Sequence, residues 1–495
     1  MPYRPREDPP VPFSRNSIWH NLVPVRKLLA ADTSQCVDLQ VSWAASLVAT
    51  RSLLESSADY PALCSSHWSA QYGDGVVGPL IIEGPATSNY DEDLGALPLT
   101  DWYYTPAFTL NEVSQHFGPP RPDNLLVNGT HVNPNGGGSY AKMNVVKVWI
   151  TILKHWTSLK LYLQGKKYRI RIINTSVDSY FTVSMDGHPF TVITSDFVPI
   201  KPWVTDQLTL AIGQRYDVII SANQTVGNYW FRITPGACAA NNYVGKIDHI
   251  GAILHYKNAT DANPTSTGVT LKTTCQDEST ANLIPFVPNQ VPASVIGSAG
   301  HLNLDDDPTN RTINKPFRWL IDGTPHIVDW NNPTLETILA GSQEFGPNSN
   351  VHSMQSNGWY LWWIQSTAQI ALDHPIHLHG HDFYILDSKD HAVWDGTTTG
   401  LNLNNPTRRD TATLPAGGYL LMAFPADNPG MWIMHCHIAW HASEGLSMQF
   451  GERYSDLQGG SLQDTSVLKR GCDEWDNYWY EGNPNKPYNQ TDSGI

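Results

Sequence analysis

The chain has 495 residues and a formal net charge of −15, with 31 lysines and arginines against 46 aspartates and glutamates. So few basic residues exclude a phosphate-tracking surface for nucleic acid, and no apolar run is long enough for a membrane-spanning helix. The length allows two to four domains, and 37 Gly and 35 Pro beside 18 Trp and 21 Tyr suit short strands joined by ordered loops, so the expected class is all-β.

The amino terminus, from Met1 to Pro10, contains no apolar signal segment. Val41 to Ser57 has helix-forming residues, but their apolar spacing is irregular and yields no element. Alternating or apolar-rich segments then recur at Val76–Ile82, Asn144–Leu153, Tyr168–Ile173, Tyr180–Val183, Phe190–Ile193, Tyr216–Ile220, Tyr229–Ile233 and Gly251–Tyr256. Short strands at that spacing, separated by Gly, Pro and Asn turns, give a Greek-key barrel or sandwich. Lys257 to Leu283 is rich in Thr, Asn, Asp and Ser and reads as a linker. A last β region runs through Phe317–Ile321, Gly358–Ile364 and Tyr419–Phe424, and the acidic run Asp305–Asp307 is expected in a solvated loop. Asn-x-Ser/Thr acceptors at Asn128, Asn174, Asn223, Asn258, Asn310 and Asn489 suggest a secreted, glycosylated surface.

The chemistry is concentrated in His374-Pro-Ile-His377-Leu-His379 and in His435-Cys436-His437-Ile-Ala-Trp-His441. If Met434 to Ile438 is extended, a two-residue period puts His435 and His437 on one face and Cys436 on the other. A metal on the thiolate and a metal on the imidazoles would then be separated by a short stretch of backbone. His377 and His379 share a face by the same rule, whereas His374, just before Pro375, has the opposite parity and can serve a different metal. One thiolate and two imidazoles describe a blue-copper site, and Cys436, His374 and His441 supply that set. Leu446, ten residues after Cys436, offers no lone pair on the axial side, which favours Cu(I) and raises the reduction potential. A structural zinc site would leave most of these imidazoles idle, and the Cys-x-x-Cys-His of haem attachment is missing. A single histidine can instead be a buried neutral residue donating to a backbone carbonyl, an alternative that stays open for His381 and for His188 but not for the two clusters as sets. If Cys436 is committed to copper, five of the six cysteines remain, which is compatible with two disulfides and one spare thiol.

On these two motifs the chain resembles the multicopper oxidases, and within them the laccases of ascomycete fungi. The resemblance runs from about Ser66 to Ile495, where Asp492-Ser-Gly-Ile495 is similar to the channel-plugging tail of that branch. It implies three cupredoxin-like Greek-key barrel domains, at residues 1–95, 96–275 and 276–495, the first incomplete. It also implies a type 1 copper that takes single electrons from phenols or aromatic amines, and a trinuclear type 2 and type 3 copper cluster that reduces dioxygen to water. By that resemblance, His374, Cys436 and His441 hold type 1 copper with Leu446 axial, and His377 is a type 2 ligand. His379, His435 and His437 are type 3 ligands, as is His67 in Ser66-His-Trp68. Asp178 matches the acidic residue of the substrate pocket, against its plainer reading as a loop carboxylate. The resemblance further implies a Cys238 to Cys275 bridge, a Cys36 to Cys472 bridge, an unpaired Cys64, and a secreted monomer.

The sequence departs from the family before Ser66. Ser65 stands at the first histidine of the second copper motif, and only Ser17-Ile-Trp19-His20-Asn21 resembles the first motif. Of the imidazoles the family uses for its cluster, His67, His377, His379, His435 and His437 can be placed, with His20 a weaker match. A misread exon or shifted frame upstream of Ser66 would explain the missing leader, the unpatterned segment and the missing ligands together. Two competing functions follow: a blue-copper electron-transfer or copper-binding protein without oxygen reduction, and an oxidase of the same architecture acting on a metal ion or a specific metabolite. With 8 methionines in the chain, a Met-rich metal-oxidation site has little support.

Overall fold

The computed structural model describes residues 72–480 apart from 76, 80, 82–83, 134–135, 148, 156–157, 237–250, 273, 308–315, 330, 461 and 463–464. His20, Cys36, Cys64, His67, Cys238, Asn310, Asn489 and the carboxy-terminal tail therefore lie outside the described residues.

Two β-sandwiches of one plan follow each other along the chain. The first pairs a six-stranded sheet, ordered Asn124–Val127, Glu92–Trp102, Lys166–Asn174, Arg215–Ala222, Phe190–Ser195 and Val198–Thr205, with a five-stranded sheet. The latter is ordered Leu208–Leu210, Phe181–Met185, Asn228–Pro235, Gly251–Tyr256 and Lys142–Val145. The second repeats the arrangement with Arg318–Ile321, Ala299–Asp307, Trp359–Ser366, Tyr419–Pro425, Phe383–Lys389 and Arg408–Arg409 in one sheet. Its other sheet is ordered Val351–Met354, Ser447–Glu452, Gly430–Cys436, His374–Leu378 and Thr411–Leu414. In both six-stranded sheets the earliest long strand runs parallel to a later one, Glu92–Trp102 beside Lys166–Asn174 and Ala299–Asp307 beside Trp359–Ser366. Most other pairs are antiparallel, which is the Greek-key pattern expected from the strand spacing.

Alternation builds each core. Along Arg215–Ala222, Tyr216, Val218, Ile220 and Ala222 enter the first core, a period-two set on one face of the strand. The second core collects Leu302, Trp319, Ile364, Met422, Phe450 and Cys436. Val177, Tyr180, Ala211 and Ile212, from loops of the first sandwich, also belong to that second core, so apolar loops dock one sandwich on the other.

Several sequence expectations change. The described residues of Val76–Ile82 lie in no strand; Gly78 and Pro79 favour irregular backbone there, since proline cannot donate to a ladder. Asn144–Leu153 is two strands, Lys142–Val145 and Trp149–His155, because the Tyr168 hydroxyl accepts the Val146 N–H at 2.7 Å and takes it out of the ladder. Glu92–Trp102 was not expected as a strand; it begins before the boundary placed at residue 95 and carries a bulge between Asp93 and Ala96. The acidic run ends the strand Ala299–Asp307, and the buried Asp306 accepts the N–H groups of Gln369 at 2.7 Å and Ile370 at 3.2 Å. Asn174 is no glycan acceptor in the folded chain, being fully buried with its amide donating to the carbonyls of Ser179 and Leu210. Cys275 is disulfide-bonded.

One buried carboxylate shapes the loop that meets the second sandwich. Asp101 accepts the N–H groups of Val177 at 2.7 Å and Asp178 at 2.9 Å, and the Ser179 hydroxyl at 2.9 Å. The Val177 carbonyl in turn accepts the Ala439 N–H at 2.9 Å. Replacing Asp101 with Ala leaves buried donors without an acceptor, and the expected loss of stability is roughly 3 kcal/mol, read from the denaturant midpoint at constant slope.

Candidate metal centres

Two neighbouring strands carry the candidate ligands. His374–Leu378 pairs antiparallel with Gly430–Cys436 in the register Ile376 to Cys436, His377 to His435 and Leu378 to Met434. Pro375 is tolerated because the strand uses its carbonyl, which accepts the His437 N–H at 2.7 Å. The strand stops at Cys436, a little earlier than expected, and a short helix, Ala439–Ser443, presents His441.

Cys436, His374 and His441 converge. The Nδ1 atoms of the two imidazoles lie 3.1 Å apart, and each is 3.7 Å from Cys436 Sγ. Donors sharing one cation at bonds of about 2.0–2.3 Å and angles of about 100–120° stand roughly 3.1–4 Å apart, so this triangle fits a single ion. Leu446 is fully buried, and its carbonyl accepts the Cys436 N–H at 3.0 Å. Trp319 lies against both imidazoles, with ring centroids 4.7 Å from His374 and 4.8 Å from His441. Its indole N–H donates to Glu444 at 3.0 Å.

A second group forms on the other side of the same strand pair. Ligand atoms of His377, His379 and His435 come within 4.8 Å of one another, and His379 Nε2 is 3.2 Å from His435 Nε2. The His437 ring stands 5.6 Å from that of His377 and 5.5 Å from that of His435. His377 Nδ1–H donates to the Asp410 carbonyl at 2.8 Å, so its buried Nε2, which has no protein partner, carries the lone pair. His435 Nδ1–H donates to the Cys436 carbonyl at 2.8 Å. That bond ties an imidazole of one group to the backbone of the thiol in the other.

Burial sets the protonation states. It lowers His374 to about 3 and His437 to about 4. It also holds His377, His379 and His435 well below the ordinary imidazole value, with mutual repulsion adding to the effect. The imidazoles are therefore neutral and ready to donate lone pairs. The Cys436 thiol is pushed well up by the same burial, so its thiolate requires a cation beside it, and loading releases that proton. These features fit copper ions at both groups.

His381 joins neither group. Its Nδ1 is 3.2 Å from the His379 carbonyl and its Nε2 is 2.9 Å from Glu452. His188 is bonded to the Asp186 carbonyl and the Tyr256 hydroxyl, as a buried structural histidine. Asp178 is buried with one oxygen unpartnered; burial, then Asp101 and Glu444, push its carboxyl well up. Sequence reading did not single out Trp319, Glu444, Asp101, Arg215 or Asp410. Arg215 stood out only as a charge at the start of an apolar strand, and nothing local marked the others.

Two multicopper oxidase family models match residues 95–259 and 326–456. A laccase of Neurospora crassa is 42% identical over 452 residues, covering 87% of this chain and 67% of the relative. Laccase-3 of Botryotinia fuckeliana is 44% identical over 402 residues, covering 78% and 84%. The crystal structure of the laccase from Botrytis aclada superposes with a TM-score of 0.75 at 39% identity, covering 86% of this chain and 75% of that one. The chain belongs to the multicopper oxidase family. It is a laccase-like, copper-dependent oxidoreductase that couples substrate oxidation to the reduction of dioxygen.

The depressed imidazoles make the copper-free chain acid-sensitive. Histidines free in the unfolded state take up protons below their ordinary value of 6.5, whereas folded His374 and His437 wait until about 3 and about 4. Their contribution to stability is thus complete above pH 6.5 and is lost progressively as pH falls toward those lower values. The thermal midpoint of the copper-free chain should drop steadily from pH 7 to pH 4. A flat profile would contradict the assignment of neutral buried imidazoles.

Proposed function

We propose that this chain oxidises small phenols or aromatic amines by single-electron steps at a type 1 copper held by His374, Cys436 and His441. His377 would hold type 2 copper, with His379, His435, His437 and, outside the described residues, His67 holding the type 3 pair. When bound, copper supplies the one-electron redox chemistry at both ends. The observation that carries this reading is the single strand Gly430–Cys436, which delivers Cys436 to one group while His435 and His437 on either side of it join the other.

The chain's own residues act on the substrate, the proton and the route between sites. Trp319 walls the imidazoles of His374 and His441. Asp178, on the loop bonded to Ala439 and with one oxygen unpartnered, would accept the phenolic proton in its ionised form as the electron leaves, and the burial that pushes its carboxyl up favours keeping that proton. The two covalent routes from Cys436 to His435 and His437, and the bond from His435 to the Cys436 carbonyl, connect the two groups. The overall balance is four phenols and one dioxygen giving four phenoxyl radicals and two waters. Domains at 96–275 and 276–495 following an amino-terminal one at 1–95, secretion, and action as a monomer belong to the same reading. The exposed acceptors Asn128, Asn223 and Asn258 support secretion.

The direct test loads the full chain with copper, counts the metal and follows oxygen uptake with a simple phenol. The reading expects blue absorption, about four coppers per chain and uptake of oxygen. About one copper with blue colour and no uptake would favour electron transfer without oxygen reduction. Asp178→Asn should lower kcat/KM for phenols several-fold while leaving an aprotic donor such as ferrocyanide nearly unchanged; equal losses for both would remove Asp178 from the proton step. Leu446→Met would replace a side chain without a lone pair by a thioether and should lower the type 1 reduction potential; an unchanged or raised potential in a redox titration would contradict the placement of Leu446 beside that copper.

A further inference from the structure

We infer that the loop Ala211–Arg215 of the first sandwich is a positioning element for the histidine group of the second, with Arg215 fixing the peptide that orients His377 and Gly213 seating the His437 ring. The inference rests on the reading of His377 and His437 as copper ligands.

Arg215 Nη1 and Nη2 each donate to a different oxygen of Asp410, both at 2.6 Å. This is a two-pronged contact between side chains that are 1% and 7% exposed, which fixes the angle as well as the distance of the carboxylate. The guanidinium is itself held by the Gly213 carbonyl at 3.0 Å and lies over the Phe197 ring. Asp410 matters to His377 through its backbone, since its carbonyl receives the His377 Nδ1–H. The Thr411 hydroxyl completes the array, donating to Asp410 Oδ1 at 2.9 Å and lying 3.0 Å from His377 Nδ1. Gln214, beside Arg215, donates to the Thr411 carbonyl at 3.2 Å.

The same loop reaches His437. Gly213 has φ +84, and a Cβ built on it would stand 2.5 Å from the His437 ring, so the backbone itself is the wall against which that imidazole rests. Two histidines, one on the strand His374–Leu378 and one just past the strand Gly430–Cys436, are thus set by one segment of another sandwich, and a shift in docking would move both. Arg215 and Asp410 touch neither substrate nor the donor nitrogens; they are positioning residues, and removal of such partners of a ligating histidine costs metal affinity on the order of 10–100-fold.

The test compares the full chain with Arg215→Lys, which keeps the charge and loses the fork, and with Thr411→Val, which removes only a hydroxyl and guards against a lysine variant that does not fold. With nitrogen-labelled histidine in the copper-free protein, the His377 imidazole N–H should exchange with solvent about tenfold faster in the variants, as one buried hydrogen bond is weakened. In copper-loaded protein, the type 2 paramagnetic signal should be lost to a competing chelator far more readily while the blue absorption from Cys436 is unchanged. Exchange of the His377 N–H at the parent rate in both variants would overturn the inference. A parent chain that binds only its blue copper would instead defeat the proposed cluster, and the N–H comparison would still decide the role of the loop.

Discussion

The pairing of His374–Leu378 with Gly430–Cys436 is the constraint on which the rest depends. Its register sets His377 opposite His435 and Ile376 opposite Cys436. Because side chains alternate across a strand, a slip by one residue would send every ligand to the wrong face. Holding that register requires both flanking strands of the same sheet, Thr411–Leu414 beyond His374–Leu378 and Ser447–Glu452 beyond Gly430–Cys436. The large apolar core of the second sandwich is therefore the scaffold that keeps a thiol and a set of imidazoles a backbone's thickness apart.

Burial gives that arrangement its chemistry. Neutral imidazoles packed together and a thiol that resists ionisation are costly to desolvate, and a cation offsets the cost by supplying the charge that the lone pairs and the sulfur lack. The first sandwich contributes what the second cannot make alone. Asp101 fixes the loop carrying Asp178 against the helix of His441, and Arg215 grips Asp410 behind His377. The buried Arg409 and Asp196 add a second ion pair across the same seam, at 3.0 Å. Buried pairs of this kind favour specificity of docking over net stability.

Much of this was legible before any coordinates. Period-two reasoning separated Cys436 from His435 and His437 and gave His374 a different role from His377, since ligand spacing on a strand is a local property. Strands with clean alternation, such as Tyr216–Ile220, were found nearly to the residue. Glu92–Trp102 was missed because Gly95 and Pro98 read as breakers, while its parallel partner Lys166–Asn174 supplies a pairing that no local pattern announces. Asp305–Asp307 read as solvated charge because the backbone donors that bury Asp306 come from residues 369 and 370. Arg215 and Asp410 were hard to read for the same reason: they meet only after two sandwiches dock, and each alone reads as a surface charge.

The most direct measurement is anomalous diffraction at the copper edge from crystals of the copper-loaded full chain. The register argument predicts one copper peak among Cys436 Sγ and the Nδ1 atoms of His374 and His441, and separate copper density on the opposite face of the strand pair among His377, His379, His435 and His437. A single peak shared by both groups, or density at the first group alone, would contradict the claim that one strand pair builds two distinct copper centres.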